Sequence, residues 1–312
     1  MVPTEIDFRE AAEILGLSDP AFVEKDYFGF LVLDMISGLE TEGLKPVFGG
    51  GTSITRAFGL TKRMSEDIDF KLLSPGGSST RGQRRAFHQS VKQTLEDIDF
   101  YPEGQMFDYK VSNQHKKITY KIPYRTVFDP TTALRPEIQL DLFTPEIPYD
   151  FEVCSFGPLI EEALPEGFGK TSVSVTKIDQ TFVDKLVSFP KRVSHFMQGR
   201  TSSLEKEQIR HVYDVHMMRD FVKNDSNLAR RFTEVISADA KRQKNQYPEF
   251  SKNPVGEIKT ALEHIGGNPE FRENYENFVL PMVYGTSTPD WDEVWQTYRS
   301  TLEKIFEELS EN

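Results

Sequence analysis

The chain has a single cysteine, Cys154, so no internal disulfide can form. A fold stapled by crosslinks is therefore excluded. No run approaches the roughly 18 apolar residues that a membrane span needs, and no spanning segment is expected. Base is also in short supply. Lys and Arg number 37 against 49 Asp and Glu, a net charge of −12. A protein that coats nucleic acid by neutralising phosphate is usually basic, so that class is disfavoured and only a local basic patch stays open. The stretch MVPTEIDFREAAEILG is acidic and lacks a basic-then-apolar pattern. A secretory signal is not expected, and with the lone cysteine this points to the cytoplasm. Cys154, in FEVCSFG, reads as a buried small hydrophobe. No internal repeat of solenoid period is visible.

Over 312 residues, 38% hydrophobic and 28% charged, there is material for a sizeable core and for one or two domains. LSDPAFVEKDYFGFLVLDMISGLE predicts a helix over 20–40, capped by Asp19 with Pro20 at its start. Val23, Tyr27, Phe30, Leu31, Met35 and Ile36 recur at helical spacing, and Glu24, Lys25 and Asp26 fall together on the first turns. LKPVFGG reads as a strand, TSITRAFG as a short helix and DIDFKLL as an alternating strand. SPGGSST is a loop, and RGQRRAFHQSVKQTLEDI a helix. MFDYKVS, KKITYKIPY and PEIQLDLFT add three strands. Beyond about residue 175 the periodicity is helical throughout, interrupted by QKNQYPEFSKNPV, which reads as a surface loop. The expected class is α+β. A mixed sheet flanked by helices fills residues 1–175, and a helical domain fills 176–312.

The chemistry concentrates in VFGGGTSITRAFGLTKRMSEDIDF, residues 47–70. On an alternating strand, Asp67 and Asp69 share one face while Ile68 and Phe70 take the other. Two carboxylates side by side repel unless a cation lies between them. Mg²⁺, or Mn²⁺ in its place, is commonly held by one or two carboxylates together with substrate phosphates. Gly50 and Gly51 let phosphates approach the backbone, and Thr52 or Ser53 offers a hydroxyl at a helix start, where the dipole favours anions. Asp-x-Asp alone is common on exposed strands, and a glycine run alone is usually a turn. Together, in this order, they point to a nucleoside triphosphate gripped from two sides. PEIQLDLFT places Glu137, Gln139 and Asp141 on one face, so Asp141 is a third candidate metal ligand and Glu137 a weaker one. Two ions about 3.5–4 Å apart could serve an in-line phosphoryl displacement.

These residues resemble the nucleotidyltransferase superfamily and, more narrowly, the AbiEii/AbiGii toxin family. EKDYFGFLVLDMI resembles that family's N-terminal helix, and FGGGTSI…RMSEDIDF its core motif. VDKLVSFPKR and IRHVYDVHMM resemble two further segments, so the likeness spans about residues 20–220 and none is evident over 225–312. The resemblance implies a nucleotidyltransferase-like fold. It places Gly50, Gly51, Thr52 and Ser53 on nucleotide phosphate, and Asp67 and Asp69 on metal. It also adds Lys185 as a triphosphate contact and Asp214 as a site residue. It implies an RNA acceptor such as a tRNA 3′ end, a cognate antitoxin, and a place in toxin–antitoxin and phage-defence loci. The chain departs from the family at Gly49, where Lys is frequent, at Asp184, where Glu is usual, and at His211, which replaces an aspartate.

Bland readings stand beside these. Lys185 could snorkel from a helix packed through Phe182, Leu186 and Phe189, and Asp214 could pair with Arg210 four residues before it. Arg63 could pair with a nearby acid or lie at the surface. Arg81, Arg84 and Arg85 form a basic cluster, as do His115, Lys116, Lys117, Lys121 and Arg125, and again Lys241, Arg242 and Lys244. Each is a solvated face or, for the first two, a guide for an RNA backbone. Trp291, Trp295 and Tyr298 have helical spacing that favours core packing over base stacking. Two other functions fit the same residues. One is transfer to a small molecule such as an antibiotic, which the acidic charge favours. The other is a non-catalytic nucleotide-binding protein, which His211 and Gly49 keep open. A generic metal hydrolase would leave the glycine turn without a purpose.

Overall fold

Alternation of burial along DIDFKLL, with Ile68, Phe70 and Leu72 inside and the polar residues outward, fixes how the sheet is oriented. The computed structural model describes residues 2–41, 43–129, 134–165, 167–284 and 288–311. It divides the chain into two units, Met1–Thr176 and Lys177–Asn312. The first holds strands β1 (Lys45–Gly49), β2 (Asp67–Leu73), β3 (Asp108–Ser112), β4 (Lys117–Pro123), β5 (Glu137–Phe143), β6 (Phe151–Phe156) and β7 (Thr171–Thr176). Their order is β3-β4-β5-β2-β1-β7-β6. β2 runs parallel to β5 and β1 parallel to β7, and the other neighbours are antiparallel. The expected mixed sheet with flanking helices is what is found. Helices α1 (Glu5–Leu15), α2 (Ala21–Ser37), α3 (Gly50–Arg56), α4 (Arg81–Glu96) and α5 (Leu159–Ala163) complete the unit.

One face of the sheet is the core. Phe30, Leu33 and Ile36 of α2 and Phe87, Val91 and Leu95 of α4 cluster with Ile68, Phe70, Leu140 and Leu142. Each such side chain contributes about 1.5–3 kcal/mol when fully buried. The opposite face keeps the polar half of each alternation, including Asp67, Asp69, Gln139, Asp141 and Thr119. Pro20, expected at the first helical position, is the N-cap of α2, and Asp19 just before it accepts from the Ala21 N–H at 2.9 Å. The three charges after it do not stay in water. Glu24 accepts from Thr126 Oγ1 and the Val127 N–H, Lys25 donates to Glu66 and the Arg135 carbonyl, and Asp26 accepts from the Leu159 N–H. Burial still dominates and lowers the pKa of Lys25, despite Glu66 beside it. β6, β7, α1 and α5 were not expected. β6 is an edge strand with Val153 68% exposed, so it lacks the alternating burial that marks a strand.

Two basic clusters are partly structural. Arg84 is buried and donates through Nε to the Gln114 carbonyl at 3.2 Å, where a surface residue was one reading. It thereby holds the β3–β4 turn, in which Asn113, Gln114 and His115 have φ of 47°, 54° and 66°. Left-handed non-glycine residues cost of order 1–3 kcal/mol each and need such support. Beneath the turn, His88 Nδ1 is hydrogen-bonded to the Tyr120 hydroxyl. Burial, assisted by His115 and Lys92, holds the His88 pKa down to about 4. The unfolded chain, with a pKa of about 6.5, therefore takes up the proton first. Stability supplied by neutral His88 is complete above that unfolded value and is lost as pH falls towards the folded one. Urea unfolding at stepped pH will show wild-type stability dropping more steeply between these limits than that of His88→Gln; parallel curves would refute this.

The second unit is helical: α6 (Ile178–Met197), α7 (Arg210–Val222), α8 (Leu228–Gln243), α9 (Pro248–Lys252), α10 (Pro254–Gly267), α11 (Glu270–Asn274) and α12 (Trp291–Glu311). The loop expected over 243–255 is instead partly helical, because Phe250 is fully buried and Pro248 suits a first turn. Trp291 and Tyr298 are buried, with Trp295 stacked between them at ring separations of 5.6 and 6.1 Å, which is core packing. Pro190 lies inside α6 and cannot donate to the Leu186 carbonyl. The Tyr298 hydroxyl donates to that carbonyl at 2.8 Å instead. No helix among the described residues is long and apolar enough to cross a membrane.

Candidate active site

The polar face is assembled around β2. Asp69 is the register partner of Gly49 on β1 and of Asp141 on β5, and Asp67 that of Gln139. The carboxylates of DIDFKLL and of PEIQLDLFT are thus on adjacent strands of one face, as the alternation predicts. Gly50 begins α3 with φ 72°, the left-handed region. A Cβ built there would lie 2.0 Å from Asp69 Oδ2, so the Asp69 carboxylate lies against bare backbone. This is the physical requirement for glycine at 50. At Gly49 a Cβ would lie 3.2 Å from Lys71 Nζ and 3.3 Å from Thr176 Oγ1. The lysine missing at 49 is thus matched by an ammonium that reaches the same spot from β2.

The hydroxyls of the turn act differently from expectation. Thr52 Oγ1 donates to the Asp67 carbonyl and Ser53 Oγ to the Gly50 carbonyl at 3.0 Å, with Ser53 fully buried. Each hydroxyl has one proton, and both are spent on tying α3 to β2 or to itself. What α3 offers an anion is the unpaired N–H character of its first turn. Arg63 is buried, with Nη1 donating to the Met64 carbonyl at 2.8 Å, so its surface alternative does not hold. Arg56 is also buried and joins Asp26, Glu162 and the Gly157 carbonyl.

The carboxylates have protein partners. Arg135 Nη2 lies 2.6 Å from Asp67 Oδ1. Asp141 accepts from Thr119 Oγ1 and, at 3.3 Å, from Gln139 Nε2, with Lys117 Nζ 3.9 Å away. Lys121 pairs with Glu137 at 3.1 Å. Among the described residues, no group of three or more His, Cys, Asp or Glu side chains is gathered to hold a metal ion by itself. Asp67, Asp69 and Asp141 share a face without forming a ready-made cage; Arg135 engages Asp67, and Thr119 and Gln139 engage Asp141. A pair of carboxylates completed by phosphate oxygens remains compatible with this face, and carboxylate oxygens are hard donors suited to Mg²⁺ or Mn²⁺. A small pocket nearby is lined by Thr52, Glu66, Ile68 and Ile138, towards the core side of the sheet. Its charged members Lys25, Asp26, Arg56 and Glu66 are already paired.

The second unit brings Lys185 and Asp214 together. Lys185 on α6 and Asp214 on α7 approach to 3.2 Å, with Asp214 fully buried. The lysine is held by a residue from another helix, which helical spacing within α7 could not show. The single Tyr298 hydroxyl proton, directed at the Leu186 carbonyl, is shared with the Lys185 carbonyl at 3.1 Å, steadying this turn of α6. His211 is buried one turn before Asp214. Sequence reasoning missed Arg135, Glu66 and Lys71. Glu66 stands directly before the Asp-x-Asp, and Arg135 two residues before β5; adjacency to the motif strands was the available signal.

A family description, nucleotidyl transferase AbiEii toxin of the type IV toxin–antitoxin system, matches residues 36–297. The chain belongs to the AbiEii family. Its members are nucleotidyl transferase toxins of type IV systems. The AbiEii match enters near the end of α2 and runs into α12, so it takes in α8 to α11, where no motif was legible. It leaves out most of EKDYFGFLVLDMI. The glycine turn, both aspartates of β2, Asp141, Lys185 and Asp214 all fall within the AbiEii match. No curated protein matches the chain significantly.

Proposed function

We propose that this AbiEii protein is a metal-dependent nucleotidyltransferase that moves a nucleoside monophosphate from a nucleoside triphosphate to an acceptor hydroxyl on RNA, in particular tRNA. The observation that carries the reading is the Asp69 carboxylate set against the bare Cα of Gly50 at the start of α3. Asp67 and Asp69 would hold Mg²⁺ or Mn²⁺ with the nucleotide's phosphates, and Asp141 stands beside them on β5. When bound, the ion supplies positive charge to the phosphates. Gly50, Gly51, Thr52 and Ser53 receive phosphate through the N–H groups of α3. Lys185 neutralises phosphate charge, and Asp214 positions Lys185.

In the reaction, the acceptor oxygen bonds to the α-phosphorus while the bond from that phosphorus to the bridging oxygen of the β-phosphate breaks. Pyrophosphate leaves and the hydroxyl proton passes to solvent. The residues contribute positioning and electrostatics rather than covalent chemistry. The protein acts in the cytoplasm, in a phage-defence setting, opposed by a cognate antitoxin. A small-molecule acceptor is the second reading, favoured by the net charge of −12.

The test is incubation of the protein with Mg²⁺, each α-phosphate-radiolabelled nucleoside triphosphate and total bacterial RNA. Label will enter RNA with wild type and not with the folded Asp67→Ala/Asp69→Ala variant. Label in a small molecule would favour the second reading, and label in neither would make the protein a nucleotide binder.

A further inference from the structure

Arg135 is anchored at its root and reaching at its head. Its N–H donates to Glu66 Oε2 at 3.0 Å, and its carbonyl accepts from Lys25 Nζ at 2.7 Å. Lys25 also pairs with Glu66, with side chains only 4% and 12% exposed. The side chain, 39% exposed, extends from this buried base onto the polar face, with its Nε still 3.7 Å from Glu66 Oε2. There one nitrogen donates to Asp67 Oδ1 at 2.6 Å and another to Gln139 Oε1 at 2.8 Å. The Gln139 amide passes the contact on to Asp141 Oδ2.

A guanidinium and a divalent cation on the same Asp67 carboxylate repel each other at that range, so each weakens the other's hold on it. A guanidinium fork suits phosphate oxygens as well as carboxylate, and loses little on exchanging one for the other. Resting on the reading of Asp67 as a cation ligand, we propose that Arg135 is a positioning residue that couples cation to nucleotide. It covers Asp67 until the cation arrives with a triphosphate, then transfers its guanidinium from the carboxylate to the phosphates. The cation alone is thereby held off, and cation and triphosphate each strengthen the other's binding. The root of the side chain stays fixed through Lys25 and Glu66 while only the head moves.

The experiment uses the full chain and needs no turnover. Mn²⁺ is titrated by electron paramagnetic resonance, and the preformed complex of Mn²⁺ with inorganic tripolyphosphate by calorimetry. Arg135→Gln will bind Mn²⁺ alone about tenfold more tightly than wild type, and the tripolyphosphate complex about tenfold more weakly, opposite shifts within the usual range of coupling. Arg135→Lys keeps the charge without the fork and will bind the complex more tightly than Arg135→Gln does. Unchanged Mn²⁺ affinity in Arg135→Gln, or shifts of the same sign for both ligands, would overturn the coupling. Asp67→Asn separates the two levels. If it binds Mn²⁺ as wild type does, the reading of Asp67 itself fails. If it loses Mn²⁺ while Arg135→Gln matches wild type, only the inference about Arg135 fails. Circular dichroism of each variant confirms the fold.

Discussion

Gly50→Ala will reduce nucleotide transfer about as far as Asp69→Asn does, although residue 50 presents no side chain to the reaction. The new methyl would fall 2.0 Å from Asp69 Oδ2, 2.7 Å from its Cγ and 2.9 Å from its Cβ. The collision reaches back to Cβ, so turning the end of the carboxylate does not relieve it. Asp69 cannot retreat along the sheet, because its backbone is in register with both Gly49 and Asp141. The φ of 72° is also left-handed, which costs a residue with a Cβ about 1–2 kcal/mol. Displacing a reacting-site group by about 1 Å can cost on the order of a hundredfold in rate, and that loss is expected as a minimum. Gly59→Ala is the control: its φ is also positive, at 63°, but nothing lies within 4 Å of the new methyl. It should lower the melting temperature and leave transfer intact. A folded Gly50→Ala protein with most of its activity would remove the Asp69–Gly50 contact from the mechanism.

The second large effect is on stability. Lys185→Ala leaves Asp214, fully buried, without the ammonium 3.2 Å away. Asp214→Ala removes the carboxylate from the ammonium in the same way. Breaking a buried pair by removing one member typically costs about 3–5 kcal/mol, whereas replacing both by apolar groups of similar volume is often neutral. Each single variant should therefore unfold at markedly lower denaturant, and Lys185→Met/Asp214→Leu should recover most of the loss. Activity discriminates the roles. If Lys185 neutralises phosphate, the stable double variant will remain inactive. A double variant that is both stable and active would reduce the pair to scaffolding.

Much of the first unit was legible because its signals are local. Alternation in DIDFKLL and PEIQLDLFT yields β2 and β5 with the aspartates outward. The glycines mark the turn in which residue 50 has a positive φ against Asp69. The chemistry of partners was not legible, because partners are distant in sequence. Lys25 is 41 residues from Glu66 and 110 from the Arg135 carbonyl. Read along its own helix, it is merely one charge among three on a first turn. Asp214 offered Arg210 as a helical neighbour, and its contact with Lys185 depends on how α6 meets α7. Thr52 and Ser53 were read as free donors because sequence cannot show that a backbone carbonyl has already claimed a hydroxyl proton. The edge strand β6 was missed for the opposite reason: with one face and one edge open, its residues obey no pattern.

The strand order has a bearing on synthesis. β5 lies between β4 and β2, though it is made after both. When β4 has left the ribosome, β1 and β2 can already pair, and so can β3 and β4. The glycine turn and both aspartates of β2 are then complete as chemistry. Yet β2 and β4 still present open edges, and the edge of β2 is the one that carries Asp69. Only when residues 137–143 emerge and insert between the two hairpins does the sheet become continuous. A toxin made in this order withholds its polar face from the cell until most of its first unit has been translated.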